Sequence, residues 1–336
     1  MAYIELNKSA FFHNLDIIAQ KTADKDKIAL VLKDNAYGHG LLEVASMAKE
    51  YGLRRVVVRS EEEAELLKEL FEYILILSPG FPVSGRENFV YTINSLDDID
   101  RFSPSCRVEL KVDTGMHRNG IAGDELQKAL KKIEARGLEL EAVFTHHRSA
   151  DTMSSEWFWQ KKNFEALKKE ALALRSEKQL RFHSCNSAAL FRESDFDEDM
   201  VRIGIAAYGC LQMDRGFEET GLKPVLSLIA EKVSTRILKK GERLGYNATF
   251  EADEDMRVSN YDIGYADGFS RLLSGKYQTP DGDELLGRVS MDNSSYKSSK
   301  EKILVFDDAN EIAAFANTIG YEVLTSLSPG IKRHIV

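Results

Sequence analysis

The chain has 336 residues, 43% of them hydrophobic and 29% charged, with 45 Lys and Arg set against 54 Asp and Glu for a net charge of −9. That length exceeds one ordinary core and predicts a large domain with a smaller one. The composition is that of a folded chain, and the acidic balance leaves no footprint for nucleic acid or an anionic membrane. Cys106, Cys185 and Cys210 lie far apart without CxxC spacing, which speaks against a disulfide framework or zinc site. Glu5 interrupts any N-terminal apolar stretch and no run of about 18 apolar residues occurs, so a cytoplasmic protein without signal peptide or membrane span is expected.

In chain order, short apolar and β-branched runs alternate with amphipathic stretches. Strands are predicted at Ile28–Lys33, Arg55–Val58, Tyr73–Leu77, Phe89–Ile93, Val108–Val112, Leu138–Thr145, Arg181–Cys185 and Asp199–Ile203. A run such as Ile28 to Leu32, with no polar alternation, suits a parallel strand buried on both faces. Ser60 with Glu63 reads as a capping box opening a helix through Leu70, and Ser95 with Asp98 opens another. Trp157, Phe164, Leu167, Ala171 and Leu174 recur at helical spacing and predict a helix facing the core. Eight strands alternating with helices predict a closed (β/α)8 barrel over residues 1–223. The alternative, an open doubly wound sheet, lacks a GxGxxG after its first strand. After about Pro224 strand-like runs crowd together, at Val225–Ile237, Tyr261–Ile263, Leu286–Ser290 and Lys302–Phe306, with turn signals such as Asp281-Gly282 between them. They predict a smaller, mainly β domain over residues 224–336.

In such a barrel chemistry sits where strands run out at the C-terminal face. Lys33 ends the first strand there, and a partly desolvated lysine is suited to imine formation. It lies in the block Val31-Leu32-Lys33-Asp34-Asn35-Ala36-Tyr37-Gly38-His39-Gly40, which resembles the cofactor-lysine signature of alanine racemases. The likeness extends to Lys111 through Gly120, Phe144-Thr145-His146, Asn186 through Ala189, Val201 through Gly209, Ile263 through Gly268, and Gly287 through Asp292. These blocks follow the family's order over about residues 4 to 333 and carry together a specificity that none has alone.

The resemblance implies a pyridoxal 5'-phosphate-dependent racemase that interconverts L- and D-alanine with two bases and supplies D-alanine for peptidoglycan. By it, Lys33 is joined to the cofactor and is one base; Tyr265 is the other. Tyr37, Ser187 and the backbone at Gly204 and Ile205 would hold the phosphate, in keeping with phosphate binding by the last barrel loops. Asn186-Ser187 also reads as a helix N-cap. Arg202 would face the pyridine nitrogen, and as a permanent donor would leave that nitrogen unprotonated. Arg118 would reach the substrate carboxylate. Lys111 occupies the place where many relatives carry a carbamylated lysine, an anion able to orient Arg118. A tyrosine is a poor base until a cation lowers its pKa, and His146 and Arg202 would supply that influence. Tyr265 and Met291, with Asp292 in support, would reach into a partner's barrel, so a homodimer with shared sites is expected.

The chain departs from the family at Asp34-Asn35, where Ala-Asp is usual, and at His147-Arg148. Pro329 stands where a tyrosine usually binds the phosphate and narrows the entrance, which leaves a racemase of serine or another amino acid as an alternative. A non-catalytic cofactor-binding barrel is a further alternative, but such proteins lack both the β domain and the Tyr265 motif.

Overall fold

The computed structural model describes residues 1–174 and 180–336. Strand β1 (Tyr3–Leu6) leads into a helix over Lys8–Thr22, and eight further strands follow. These are β2 (Ile28–Val31), β3 (Arg55–Val58), β4 (Tyr73–Ile76), β5 (Phe89–Ile93), β6 (Arg107–Lys111), β7 (Glu139–Phe144), β8 (Arg181–His183) and β9 (Val201–Ile203). Each overlaps a predicted run, and the bounds agree within two residues. They pair in parallel in the order β8-β7-β6-β5-β4-β3-β2-β9. The two ends of that order meet just past β8, where the Arg202 N–H donates to the Cys185 carbonyl at 3.0 Å and Asn186 bridges to Arg202. The sheet is therefore a nearly closed barrel, as expected.

Alternation along the strands divides the side chains into two populations. Ile28, Leu30, Val56, Val58, Ile74 and Ile76 join the main core under the surrounding helices. Ala29, Val31, Val57, Tyr73, Leu75 and Val90 form a separate cluster with Met200 inside the barrel. The rest of the interior is polar, because Glu109 on β6 meets Tyr73 on β4 and His183 on β8 across the lumen. One side of the barrel interior is thus hydrocarbon and the other is charged.

The helix signals need adjustment. The helix after Ser60 spans Glu61–Leu67 and stops short of Leu70. Ser60 Oγ accepts from the Glu63 N–H at 3.5 Å, but the Glu63 carboxylate turns to the amides of Arg59 and Asp34, both at 2.7 Å. Ser95 and Asp98 open only a 3-10 turn, Asp98–Arg101. The helix Glu156–Leu174 buries Trp157, Phe164, Leu167 and Ala171, whereas Leu174 is exposed.

The second domain is built on β10 (Leu226–Leu238), followed by β11 (Arg243–Leu244), β12 (Phe250–Glu251), β13 (Met256–Tyr261), β14 (Glu284–Leu286), β15 (Ser294–Lys297), β16 (Lys302–Phe306) and β17 (Lys332–Ile335). Seven strands form one sheet in the order β14-β15-β13-β10-β1-β17, with β16 also on β10. The predicted runs at 225–237 and 302–306 are recovered; those at 261–263 and 286–290 catch only the ends of β13 and β14. Gly287, at φ +64°, ends β14. The division expected at 223/224 is crossed by β1, whose Tyr3 sits opposite Ile229 of β10 and Lys332 of β17. Two short helices, Ala309–Ala316 and Gly320–Ser326, complete the domain. Among the described residues no helix is long and apolar enough to cross a membrane.

Candidate active site

Leaving β2, the chain enters a single left-handed helical turn, with φ of 55°, 56°, 52° and 53° at Asp34, Asn35, Ala36 and Tyr37. Such a conformation costs roughly 1–2 kcal/mol per L-residue, so it persists only where neighbours hold it. Glu63 Oε1 accepts from the Asp34 N–H at 2.7 Å, Asn35 Oδ1 accepts from the Leu41 N–H at 2.9 Å, and Arg333 Nη2 donates to the Gly38 carbonyl at 2.8 Å. Gly38, at φ +78°, is pressed so close to the second domain that a Cβ there would lie 1.9 Å from the Leu324 carbonyl oxygen. Asp34 and Asn35, the two departures from the family pattern, are residue types that tolerate this region best. The turn delivers Lys33 to the barrel mouth, its side chain 36% exposed and its Nζ 3.5 Å from Asp34.

The β6, β7 and β9 ends bring positive charge to the same place. Lys111 is buried, and that burial, followed by the charges of Arg202 and Arg118, with Lys33 adding less, lowers its amine to about 8 against the pull of Asp113. His146 is held well below the ordinary imidazole range by burial, then by Arg202, Lys111 and Arg118, so it is neutral at pH 7. Arg118 is exposed, and none of its side-chain donors has a hydrogen-bond partner among the described residues. Lys33, Lys111, Arg118, His146 and Arg202, singled out separately in the sequence, therefore share one electrostatic neighbourhood that suits an anion.

A candidate phosphate cradle lies beside it. Ser187 Oγ accepts from the N–H groups of Gly204 at 3.1 Å and Ala206 at 3.3 Å. A Cβ on Gly204 would sit 2.6 Å from the Tyr37 hydroxyl, so the absent side chain is what lets Tyr37 come up against Gly204 beside Ser187, with the buried Ile205 next in the chain. The N-cap is Asn186, whose Oδ1 accepts from the Ala189 N–H at 2.9 Å, which frees Ser187 for the cradle. Burial keeps Tyr37 protonated far above neutrality. Pro329 offers only its carbonyl, to Arg333 at 3.1 Å, whereas Tyr321 places its ring 5.9 Å from that of Tyr37. Sequence reading did not single out Tyr321.

Arg202 is buried and fixed on three sides. Nη2 donates to the carbonyls of Thr145 at 2.7 Å and Ser184 at 3.0 Å, while Nη1 contacts His183 Nδ1. Its Nε–H has no hydrogen-bond partner among the described residues and is the donor left for a ligand. His183 and, behind it, Glu109 were missed in the sequence. His147 and Arg148 are braces: His147 Nε2 meets Ser184 Oγ at 3.0 Å and Arg148 Nη1 donates to the Gly115 carbonyl at 2.7 Å.

Tyr265 and Met291 lie elsewhere, on the second domain. Tyr265 opens a 3-10 turn, its N–H donating to the Ser290 carbonyl at 3.1 Å, and Ala266 N–H donates to the Met291 carbonyl at 2.8 Å. A Cβ on Gly264 would lie 2.3 Å from the Met291 oxygen, so the two segments are locked together. The two residues stand 40% and 59% exposed, with Asp292 exposed beside them and accepting from Asn293 Nδ2 at 2.9 Å. Among the described residues no hydrogen bond, ion pair or ring contact joins Tyr265 or Met291 to the barrel-mouth groups.

The family model described as alanine racemase, N-terminal domain, matches residues 6–212, and that described as alanine racemase, C-terminal domain, matches residues 225–335. A protein named alanine racemase from Campylobacter curvus is 45% identical over 340 residues, covering all of both chains. The solved alanine racemase of Bacillus anthracis with bound L-Ala-P superimposes with a TM-score of 0.89 at 29% identity, over 100% of this chain and 95% of that one. A histidine racemase from Leuconostoc mesenteroides also superimposes, with a TM-score of 0.84 at 26% identity over 100% of this chain and 98% of that one.

Proposed function

The chain belongs to the alanine racemase family, and from that premise we propose how it interconverts L- and D-alanine: as a cytoplasmic homodimer, with pyridoxal 5'-phosphate at the barrel mouth and one base from each subunit. The observation that carries this reading is the convergence of the Lys33 turn, the Tyr37–Ser187–Gly204 cradle and the pinned Arg202 on one end of the barrel. The cradle suits a phosphate, the free Arg202 Nε–H suits a ring nitrogen, and Lys33 suits an aldehyde. When bound, the cofactor supplies an electron sink that makes the proton on the substrate's α-carbon removable.

This chain's residues do the rest. Arg202 donates and has no lone pair, so it leaves an acceptor nitrogen before it unprotonated and limits how far charge is drawn from the α-carbon. Arg118 takes the substrate carboxylate. A carbamate on Lys111 would be an anion among Arg118, Arg202 and Lys33; its amine, near 8, supplies the neutral nucleophile that carbon dioxide requires. Lys33 Nζ takes or returns the proton on one face. The opposite face needs a second base, and the partner's Tyr265, entering beside Met291 of the partner subunit, would hold the proton there. The three free, buried cysteines accord with a reducing compartment.

Borohydride treatment of the holoenzyme should fix the cofactor to Lys33; an adduct on another lysine would contradict the assignment. Racemisation assayed across a panel of L-amino acids should be fastest with alanine, and a preference for serine or histidine would move the substrate elsewhere.

A further inference from the structure

Behind Arg202 a line of polar side chains runs down the charged side of the barrel. His183, fully buried and stacked on Phe144 with ring centroids 4.8 Å apart, contacts Arg202 Nη1 through Nδ1 and Glu109 Oε2 through Nε2 at 2.8 Å. Glu109, also fully buried, receives the Tyr73 hydroxyl and, at 3.1 Å, Arg181 Nη2 on its other oxygen, Oε1. Arg181 pairs in turn with Glu141 at 2.7 Å. Five strands contribute: β4, β6, β7, β8 and β9.

The donors and acceptors along this line admit one arrangement. A guanidinium has no lone pair, so the Nδ1 that meets Arg202 must be bare. The proton of a neutral His183 then sits on Nε2 and needs an acceptor, which Glu109 provides. Burial works against charge on both groups. For Glu109 the combined hydrogen bonds and charges of His183, Arg181 and Tyr73 win, and its carboxyl is held at about 2. For His183 burial, with Arg202 and Arg181 facing it, outweighs Glu109 and lowers the imidazole. At neutral pH an ionised Glu109 therefore faces a neutral His183.

We propose that Glu109 is a positioning residue for the racemase reaction: it fixes His183 with the proton on Nε2, and His183 thereby holds Arg202 with its Nε–H free at the barrel mouth. The proposal rests on the reading of Arg202 as the cofactor's partner, although the proton position on His183 does not depend on it. Glu109→Gln keeps the shape and reverses the logic. Two donors, Tyr73 and Arg181, face Oε1, so the amide oxygen must turn to them and its NH2 must face His183. The imidazole proton is then driven to Nδ1, against the donors of Arg202.

The test is 15N NMR of histidine-labelled protein, both as holoenzyme and stripped of cofactor, together with kcat, KM and the cofactor absorption spectrum. The unsubstituted protein should show His183 protonated on Nε2 at neutral pH, and Glu109→Gln should move the proton to Nδ1. Kcat should fall roughly ten- to a hundredfold, the range for groups that orient the ligands of a bound metal, taken over here for the group that orients Arg202, with a smaller change in KM and a displaced cofactor band. Glu109→Asp should restore the Nε2 proton and part of kcat. A proton on Nδ1 in the unsubstituted protein would overturn the proposal without any variant. A proton moved by Glu109→Gln with spectrum and kcat unchanged would retire the positioning role; Lys33 losing its borohydride adduct would instead fault the underlying reading.

Discussion

The two candidate bases are presented in opposite ways. Lys33 leads into a strained left-handed turn sewn down by Glu63, Asn35 and Arg333, at the mouth of the barrel. Tyr265 stands on a 3-10 turn held by backbone bonds to Ser290 and Met291, the residue as a whole 40% exposed. The first candidate is held by its own chain, and the second is exposed and, among the described residues, joined by no side-chain hydrogen bond to the barrel mouth. Preorganisation on one side and dependence on association on the other are what a shared site requires.

The comparison can be broken most forcefully at the tyrosine. Tyr265→Ala should lose about 10²- to 10⁴-fold in α-hydrogen exchange from L-alanine, the ordinary contribution of one general base, while exchange from D-alanine persists through Lys33. Exchange in heavy water measured for each enantiomer separately reads this, and equal losses would count against one base per face.

A smaller effect sharpens the lysine side. With its amine lowered to about 8, Lys111 is increasingly neutral as pH rises through that value, so carbamate formation should increase over the same range. Native mass spectrometry in bicarbonate buffer should find one added carbon dioxide per chain, absent in Lys111→Ala, and that variant should lose several-fold in kcat/KM as Arg118 loses its anionic guide. An unmodified Lys111 at pH 9 would remove the carbamate from the account.

A third test concerns the turn alone. Glu63→Gln places an amide where a carboxylate accepts two backbone N–H groups, and should cost about 1.5 kcal/mol of stability, at the low end for hydrogen bonds to a charged group. Denaturant unfolding measures it, and an unchanged midpoint would mean that the left-handed turn is held by its other bonds.

The barrel was legible because parallel strands buried on both faces leave uninterrupted apolar runs, as at Ile28 to Val31 and Tyr73 to Ile76. The charged half of its interior was less so. Val108-Glu109-Leu110-Lys111 reads as a strand with one wet face, yet the face bearing the charges is the closed one. Parity held the missing signal: once Lys111 is taken as inward, Glu109 two residues earlier must share its side, and Arg181 stands likewise to His183. The left-handed turn at 34–37 was hidden because only Asp34 and Asn35 favour it, while Ala36 and Tyr37 do not. β1 was hidden because its partners, β10 and β17, lie more than two hundred residues away. Tyr265 was singled out only through its motif, since among the described residues its side chain has no hydrogen-bond partner.

The central claim, that each site takes Lys33 from one subunit and Tyr265 from the other, is tested most directly by mixing two inactive variants. Lys33→Ala and Tyr265→Ala dimers are combined under conditions that let subunits exchange, with exchange confirmed by mass, and racemisation is then assayed. In a mixed dimer with shared sites, one site collects both defects and the other none; roughly half the dimers are mixed, so about a quarter of wild-type activity should return. If exchange is complete and activity stays at the level of the separate variants, each site is built within one chain and the account is wrong.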